Sequence, residues 1–472
     1  MSSRIPSAAS LDHSHADTAA APDAGHGVSP TDSVGDWMAQ RIGSQRAGPA
    51  SAGSGKAGLV FLTQDITDVS TIKRVREFLD NGLPVLVLGF ERERYNSGYR
   101  PPWPHVLLGR TVDGKYAHRL QALAGALRVI FRTRERLGGA TILYARNIDQ
   151  LLLALVMKMF ISRQADVIYE VLDIQPMFVA HGLRSILLRL VEKLCLTQVK
   201  LLVLSSPGFH RHYFAPTQRF RGPWLLVENK LPRPGLPDRP RFTPRLPASP
   251  AAPAQPALTG SNGTRPLMPP DRPWVIGYFG LIRGEQTVDL MRRLAQRLPD
   301  RLQIRFRGVL TTVDEKSFFK TLEACPNILY GGRYDHPGEL ADMYAGVDFA
   351  WALDLENTEH NSRWLLPNRF YEAGYFGVPC LSVQGFEVDR LVRRHDVGWG
   401  FEQPLEDSMV RFFQTLGVEE YERKRRRLLE LPEETFVAGE EIRALCRFFA
   451  RRAAAPPEKP PVEEGMRPHP AA

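Results

Sequence analysis

The chain has 472 residues and only four cysteines, Cys195, Cys325, Cys380 and Cys446, far apart and without a Cys-x-x-Cys pair or a Cys/His spacing. That scarcity excludes a disulfide framework and a thiolate-built metal site, and points to buried free thiols in a reducing compartment. Long apolar runs are also missing. The nearest approach, residues 151–161, falls far short of the roughly 20 residues a spanning helix needs and contains Lys158, so it reads as a buried helix. The opening residues are polar, with His13, His15 and Asp17 where a leader peptide would need an apolar core. No metal site is indicated by the cysteine spacings, and no cofactor is expected. Acidic charge is in deficit, with 52 Asp and Glu against 61 Lys and Arg, a net charge of +9. The excess leaves nucleic acid, an anionic membrane surface or phosphate-bearing ligands as partners.

What is present divides the chain. Residues 1–56 are rich in Ala, Ser, Gly, Asp and Pro with one aromatic, Trp37, a composition that cannot bury enough apolar surface to fold alone. Residues 57–231 read as a first domain. A strand near 58–62, a helix over 69–80 and a strand near 84–90 make a βαβ unit, and further strands near 140–144, 167–171 and 201–204 alternate with helices near 118–136, 148–162 and 182–197. Residues 232–273 hold thirteen prolines and read as an extended linker or loop. Residues 274–454 restart the pattern, with strands near 274–280, 302–308, 328–330, 347–351 and 379–382, and the proline-rich 455–472 is a second disordered tail. The fold class is therefore α/β, two Rossmann-like doubly wound domains facing across a cleft where ligands bind at the strands' carboxyl ends.

One stretch carries the most chemistry. Residues 362–381 read as a polar loop, a short helix beginning near Pro367, and Gly377-Val378-Pro379 leading into a buried strand. A helix opened by Pro and Asn368 presents free N–H groups and a positive dipole end to a phosphate. Glu372 lies one turn later, where a carboxylate can accept hydrogen bonds from ribose hydroxyls. Upstream, Gly280 follows a strand and allows close approach to the backbone, while Arg283 can pair with a diphosphate through forked hydrogen bonds.

The stretch Pro367-Asn368-Arg369-Phe370-Tyr371-Glu372-Ala373-Gly374, with its Gly-Val-Pro, resembles the donor-site segment of sugar-nucleotide glycosyltransferases of the GT-B fold. Residues 64–68 (QDITD), 144–149 (YARNID), 169–174 (YEVLDI), 205–209 (SSPGF) and 227–230 (VENK) resemble the bacterial enzymes that build succinoglycan-type exopolysaccharides on a lipid carrier. The likeness runs from about Gly58 to the last helix, the linker excepted. It implies a hexosyltransferase, moving a sugar such as glucose from a UDP-sugar to a lipid-diphosphate oligosaccharide, cytoplasmic and peripheral on the inner face of the membrane, with no nucleic acid as partner. It also implies Gly280, Arg283, Asn368, Tyr371 and Glu372 as donor-binding residues.

Many retaining members carry a second Glu eight residues before the ribose-binding one; here that position is Trp364, which favours inversion. Asp354 and Glu356 can substitute as sugar-hydroxyl acceptors or stand as solvated loop acids. An inverting transfer needs one general base from the domain facing the donor. Asp173 is the first choice and Asp65 the second, while Asp68 fits a helix N-cap. Arg146 and Asn147 are acceptor-side candidates, and His181, His210 and His212 stand near the same rim. The basic amphipathic segments 120–136 and 187–193 suit either an anionic membrane or ordinary packing on a sheet. A sugar-nucleotide epimerase of the same fold, and a catalytically degenerate scaffold in a polysaccharide-assembly complex, remain alternatives.

Overall fold

The computed structural model describes residues 58–92, 99–111, 116–242 and 272–454. The two tails and most of the proline-rich stretch lie outside the described residues. The first half is built on β1 (Leu59–Thr63), α1 (Val69–Asp80), β2 (Val85–Arg92), β3 (His105–Thr111), α2 (Tyr116–Arg132), β4 (Ile142–Arg146), α3 (Ile148–Phe160), β5 (Asp166–Val171), α4 (Leu183–Leu196), β6 (Val199–Leu204) and β7 (Trp224–Leu226). Its seven strands are all parallel, in the order β3-β2-β1-β4-β5-β6-β7. A parallel sheet is covered on both faces, and β1 shows why its first four residues are all apolar. Leu59 and Phe61 enter one core layer, whereas Val60 and Leu62 enter the opposite one.

The second half comprises β8 (Trp274–Ile282), α5 (Glu285–Arg297), β9 (Leu302–Leu310), α6 (Glu315–Ala324), β10 (Ile328–Tyr330), α7 (Leu340–Ala345), β11 (Phe349–Trp351), α8 (Asn361–Trp364), α9 (Asn368–Tyr375), β12 (Cys380–Val383), α10 (Glu387–His395), β13 (Gly398–Phe401), α11 (Leu405–Thr415), α12 (Val418–Glu430) and α13 (Glu440–Ala454). Its six strands run in the order β10-β9-β8-β11-β12-β13. The edge strands β3, β7 and β13 had no sequence signal. They are short or follow Pro and Gly, and pairing with a neighbour rather than local pattern makes them strands.

Two findings depart from the expected division at residue 274. The last helix does not close the second half. Ile442, Leu445, Cys446 and Phe449, one stripe of α13, pack into the first half's core, and Phe449 meets Phe78 and Tyr144 edge-on at 5.8 and 5.9 Å. The proline-rich stretch also begins as packed chain. Tyr375 donates to the carbonyl of Pro237 at 2.6 Å, and Arg239 donates to the carbonyls of Tyr375 and Leu428 at 3.2 and 2.7 Å. The two crossings between the halves run side by side, Leu231 donating to Phe436 and accepting from Ala438.

Candidate active site

Strand order fixes where each half offers a crevice. In the first sheet the chain leaves β1 toward β2 and returns on its other side at β4, so the loops after β1 and β4 diverge. In the second sheet the same reversal separates β8 from β11. Residues 64–68 and Asn147 therefore stand at one switch point, and Arg283, Gly284, Asp354 and Glu356 at the other. The two crevices are joined by α8. Asn361 donates from Nδ2 to Asp173 Oδ1 at 3.0 Å and accepts the backbone N–H of Ile174 at 2.9 Å. A cavity of about 280 Å³ opens beside this contact, lined by Ile174 and Pro176 from the first half and by Gln286, Leu355 and Glu356 from the second.

Asp173 keeps access to solvent at the mouth of this cleft. Partial desolvation by the cleft walls pushes its carboxyl above the ordinary range, against the pull of the Asn361 hydrogen bond and Arg283, while Asp354 and Asp68 push with it. Arg283 faces it from the second half, its Nε 3.4 Å from the buried carboxylate of Asp354. Desolvation lowers the basicity of Arg283, but Asp354 and Asp173 outweigh it and raise its pKa. The cleft thus places a cation and two carboxylates around one small volume.

The rival acids have other work. Asp65 accepts from the N–H and the hydroxyl of Thr67 at 2.9 and 2.7 Å, a local turn that shapes the loop after β1. Asp68 caps α1 through the N–H groups of Ser70 and Thr71. Arg146 is placed inside the protein and not in the cleft lining. Its guanidinium holds Glu170 at 2.7 Å and Ser70 at 3.0 Å, and Arg74 closes on the same carboxylate at 2.9 Å. This buried triad stiffens the carboxyl edge of β4 and β5. Asn147 follows directly, with φ 70° and ψ 165°, a conformation that costs a non-glycine residue about 1–3 kcal/mol and that gathers at functional sites. His210 stacks on Trp224 and His212 on Trp364; partial desolvation lowers the pKa of both imidazoles.

The stretch after Pro367 forms a helix, as its sequence implies. Pro367 precedes α9, no side chain caps the helix, and Asn368 is exposed at its start. Glu372 is 7 % exposed, accepts from the Tyr344 hydroxyl at 3.1 Å and lies 3.4 Å from Nε2 of His336. Tyr371 points the other way. It is buried with its hydroxyl toward Glu228, and desolvation together with that carboxylate holds the phenol's pKa well above normal. It belongs to the contact between the halves, apart from Glu372 and its partners. Gly280 lies within β8 rather than in the turn after it. Its φ of 110° serves a close approach to β9, where a Cβ on Gly308 would fall 1.8 Å from the Gly280 carbonyl.

Arg369, unremarked in the sequence, is the residue the structure adds. It is 8 % exposed, its guanidinium sits 4.4 Å above the ring of Tyr278, and its Nη1 has no hydrogen-bond partner among the described residues. The Tyr278 hydroxyl in turn accepts the backbone N–H of Arg283 at 3.3 Å, so one tyrosine links both arginines. Burying a cation without an anion beside it is costly. The signal was its place in the first turn of α9, where Arg usually reads as a solvated surface residue.

Trp364 explains the missing second Glu. Its indole enters the first half's core, its carbonyl accepts from the hydroxyl of buried Ser206, and a Cβ on Gly208 would lie 2.4 Å from that carbonyl oxygen. Arg211 and Glu387 pair across the same seam at 2.7 Å.

No family model matches the sequence. The chain is 29 % identical over 341 residues, 72 % of its own length and 80 % of the relative's, to the succinoglycan biosynthesis protein ExoL of Rhizobium meliloti (strain 1021). Its structure is similar to sucrose-phosphate synthase from Thermosynechococcus elongatus, with a TM-score of 0.58 and 10 % identity, covering 84 % of this chain and 98 % of that one. It is also similar to Anabaena HepE in complex with UDP and glucose, with a TM-score of 0.54 and 13 % identity, covering 83 % and 98 %. A glycosyltransferase from Rickettsia africae ESF-5 gives 0.53 and 9 %, covering 85 % and 99 %.

Proposed function

We propose that this chain, a protein of the GT-B glycosyltransferase fold similar to a succinoglycan biosynthesis protein, transfers a hexose from a UDP-sugar to a lipid-diphosphate oligosaccharide during exopolysaccharide assembly, with inversion and without a metal. The observation that carries this reading is Asp173 facing Arg283 across one cleft, each at the carboxyl edge of its own sheet. Glu372 holds the donor ribose, with the nucleotide beside His336. The diphosphate lies against the start of α9 between Arg283 and Arg369. Asn147 and the loop shaped by Asp65 contact the acceptor.

In the reaction the acceptor hydroxyl gives its proton to Asp173 as its oxygen bonds to the anomeric carbon. The bond from that carbon to the diphosphate oxygen breaks, and UDP leaves with the electron pair. The raised pKa of Asp173 makes it a stronger base than an ordinary carboxylate, and the two arginines with the α9 N–H groups stabilise the charge that develops on the diphosphate. The absence of a carboxylate at position 364, where Trp364 is committed to the seam, supports inversion.

The test is transfer of labelled hexose from UDP-sugars to a membrane extract containing lipid-linked oligosaccharides, with Asp173→Asn beside the wild type. Transfer that requires the lipid-linked acceptor, and a variant that binds UDP normally but turns over at least roughly a hundredfold slower, is the expected result. A turnover close to wild type removes Asp173 from the base role. Conversion of the UDP-sugar without any acceptor points instead to an epimerase.

A further inference from the structure

The helix α4 is built inside out. Leu183, Ile186, Leu187, Leu190 and Leu194 all face solvent, with Leu183 84 % and Leu187 61 % exposed. At about 100° per residue these five fall within an arc of about 100° on one side of the helix. Its single acid, Glu192, is turned inward, where its carboxylate accepts from Tyr169, Tyr213 and Gln218. Two of its three cations are turned outward: Arg184 and Lys193 are exposed, and the same spacing places them on opposite flanks of the apolar arc, while Arg189 donates to the carbonyls of Phe178 and Ala180. The neighbouring helices in this layer end in exposed apolar side chains as well, Phe131 on α2 against Phe160 on α3 with Met159 beside it, accompanied by exposed Arg132 and Arg163. Ordinary packing on the sheet explains the inner face of α4 and leaves this outer face unaccounted for, because a contiguous apolar patch on a protein surface marks an interaction site.

We propose that the outer face of α4 is the membrane-docking surface of this protein, its leucines entering the acyl boundary of an anionic bilayer while Arg184 and Lys193 meet the lipid phosphates. Charge selects this occupant. A second copy placed on the same face would set Arg184 and Lys193 against their own counterparts, with Glu192 buried and unable to offset them. A lipid surface supplies both the apolar interior and the negative rim that the face lacks. Among the described residues no helix is long and apolar enough to cross a membrane, so the contact is one of lying on the surface. Membrane binding on α4 stands independently of the transfer chemistry and supplies what a lipid-carried acceptor requires, an active cleft held at the membrane. It also differs from attraction by net charge alone: apolar insertion survives salt, whereas a purely electrostatic contact is screened.

The test is co-sedimentation of the full-length protein with vesicles of phosphatidylglycerol and phosphatidylcholine and with vesicles of phosphatidylcholine alone, at low and high salt. The variants are Leu187→Glu with Leu190→Glu, and Arg184→Gln with Lys193→Gln. All four side chains are exposed, so the fold is retained, which a thermal melt and UDP binding check. The wild type is expected to prefer the anionic vesicles and to remain partly bound in high salt. The double Glu variant is expected to lose roughly a hundredfold or more in vesicle affinity, and the double Gln variant to lose the preference for anionic lipid. Complete release of the wild type by salt, or wild-type binding by the double Glu variant, overturns the proposal. So does a dimer of the wild type in solution that the double Glu substitution dissolves, since the face is then taken by a second copy.

Discussion

Replacing Arg369 by Met separates a ligand-binding cation from a structural one, because the two roles predict opposite effects on stability and binding. The side chain is more than nine-tenths buried, stacks on Tyr278 and leaves Nη1 unpaired. In the free protein the substitution removes a cation–π contact of about 0.5–2 kcal/mol. It also removes a buried, unsatisfied donor whose penalty is about 1–3 kcal/mol. Methionine fills most of the volume, so the two terms nearly cancel and the melting temperature should hold or rise slightly. With a diphosphate bound, the guanidinium makes a charge-assisted hydrogen bond worth about 1.5–3 kcal/mol. Arg369→Met should therefore weaken UDP binding by roughly tenfold to a hundredfold. Titration calorimetry with UDP and with uridine provides the control, since uridine has no phosphate and its affinity should not change. A drop of several degrees in melting temperature with unchanged UDP affinity would refute this account and make Arg369 a packing residue.

Other substitutions probe the rest of the cleft. Glu372→Ala would leave the buried Tyr344 hydroxyl without its acceptor, so Glu372→Gln is the cleaner test: it retains that hydrogen bond and should lower affinity for UDP and uridine alike by roughly tenfold with little change in melting temperature. Unchanged nucleotide affinity would take the ribose away from Glu372. Because the folded-state pKa of Asp173 is raised, the folded protein binds more protons than the unfolded chain between the two pKa values, so this group favours folding at low pH and the benefit fades as pH rises. Asp173→Asn should accordingly raise the melting temperature at neutral pH and not at acid pH, and the acid limb of the wild-type rate profile should lie above the ordinary carboxylate range. Equal melting shifts at both pH values would contradict that sign. Gly208→Ala should cut turnover and thermal stability together, because its Cβ has no room against the Trp364 carbonyl at the seam; a variant as active and stable as wild type would show that the seam gives way freely.

Local chemistry made much of this protein readable from its sequence. The helix over 69–80 is legible to the residue, because Asp68 caps it and its apolar stripe repeats at the helical period. The paired sheets followed from strands alternating with helices, and α9 from Pro367 and its neighbours. Asp173 was legible as a strand-end acid, but its approach to Asn361 was not: the two residues lie 188 positions apart and meet only when both sheets are in place. Contact partners are what a single sequence withholds. Arg146 and Arg369 look alike as arginines beside a strand or helix end, yet one is saturated by Glu170 and the other is left with a free Nη1. Tyr371 and Glu372 are adjacent, and the turn of about 100° per residue sends them to different faces of α9. The stripe on α13 announced a buried face without saying that the first half would cover it, while the stripe on α4 announced the same and stayed uncovered. Periodicity is a property of the segment, whereas the identity of the covering surface is a property of the whole fold, which is why the sequence decides the helices and inner strands while tertiary structure decides the edge strands and every element's partners.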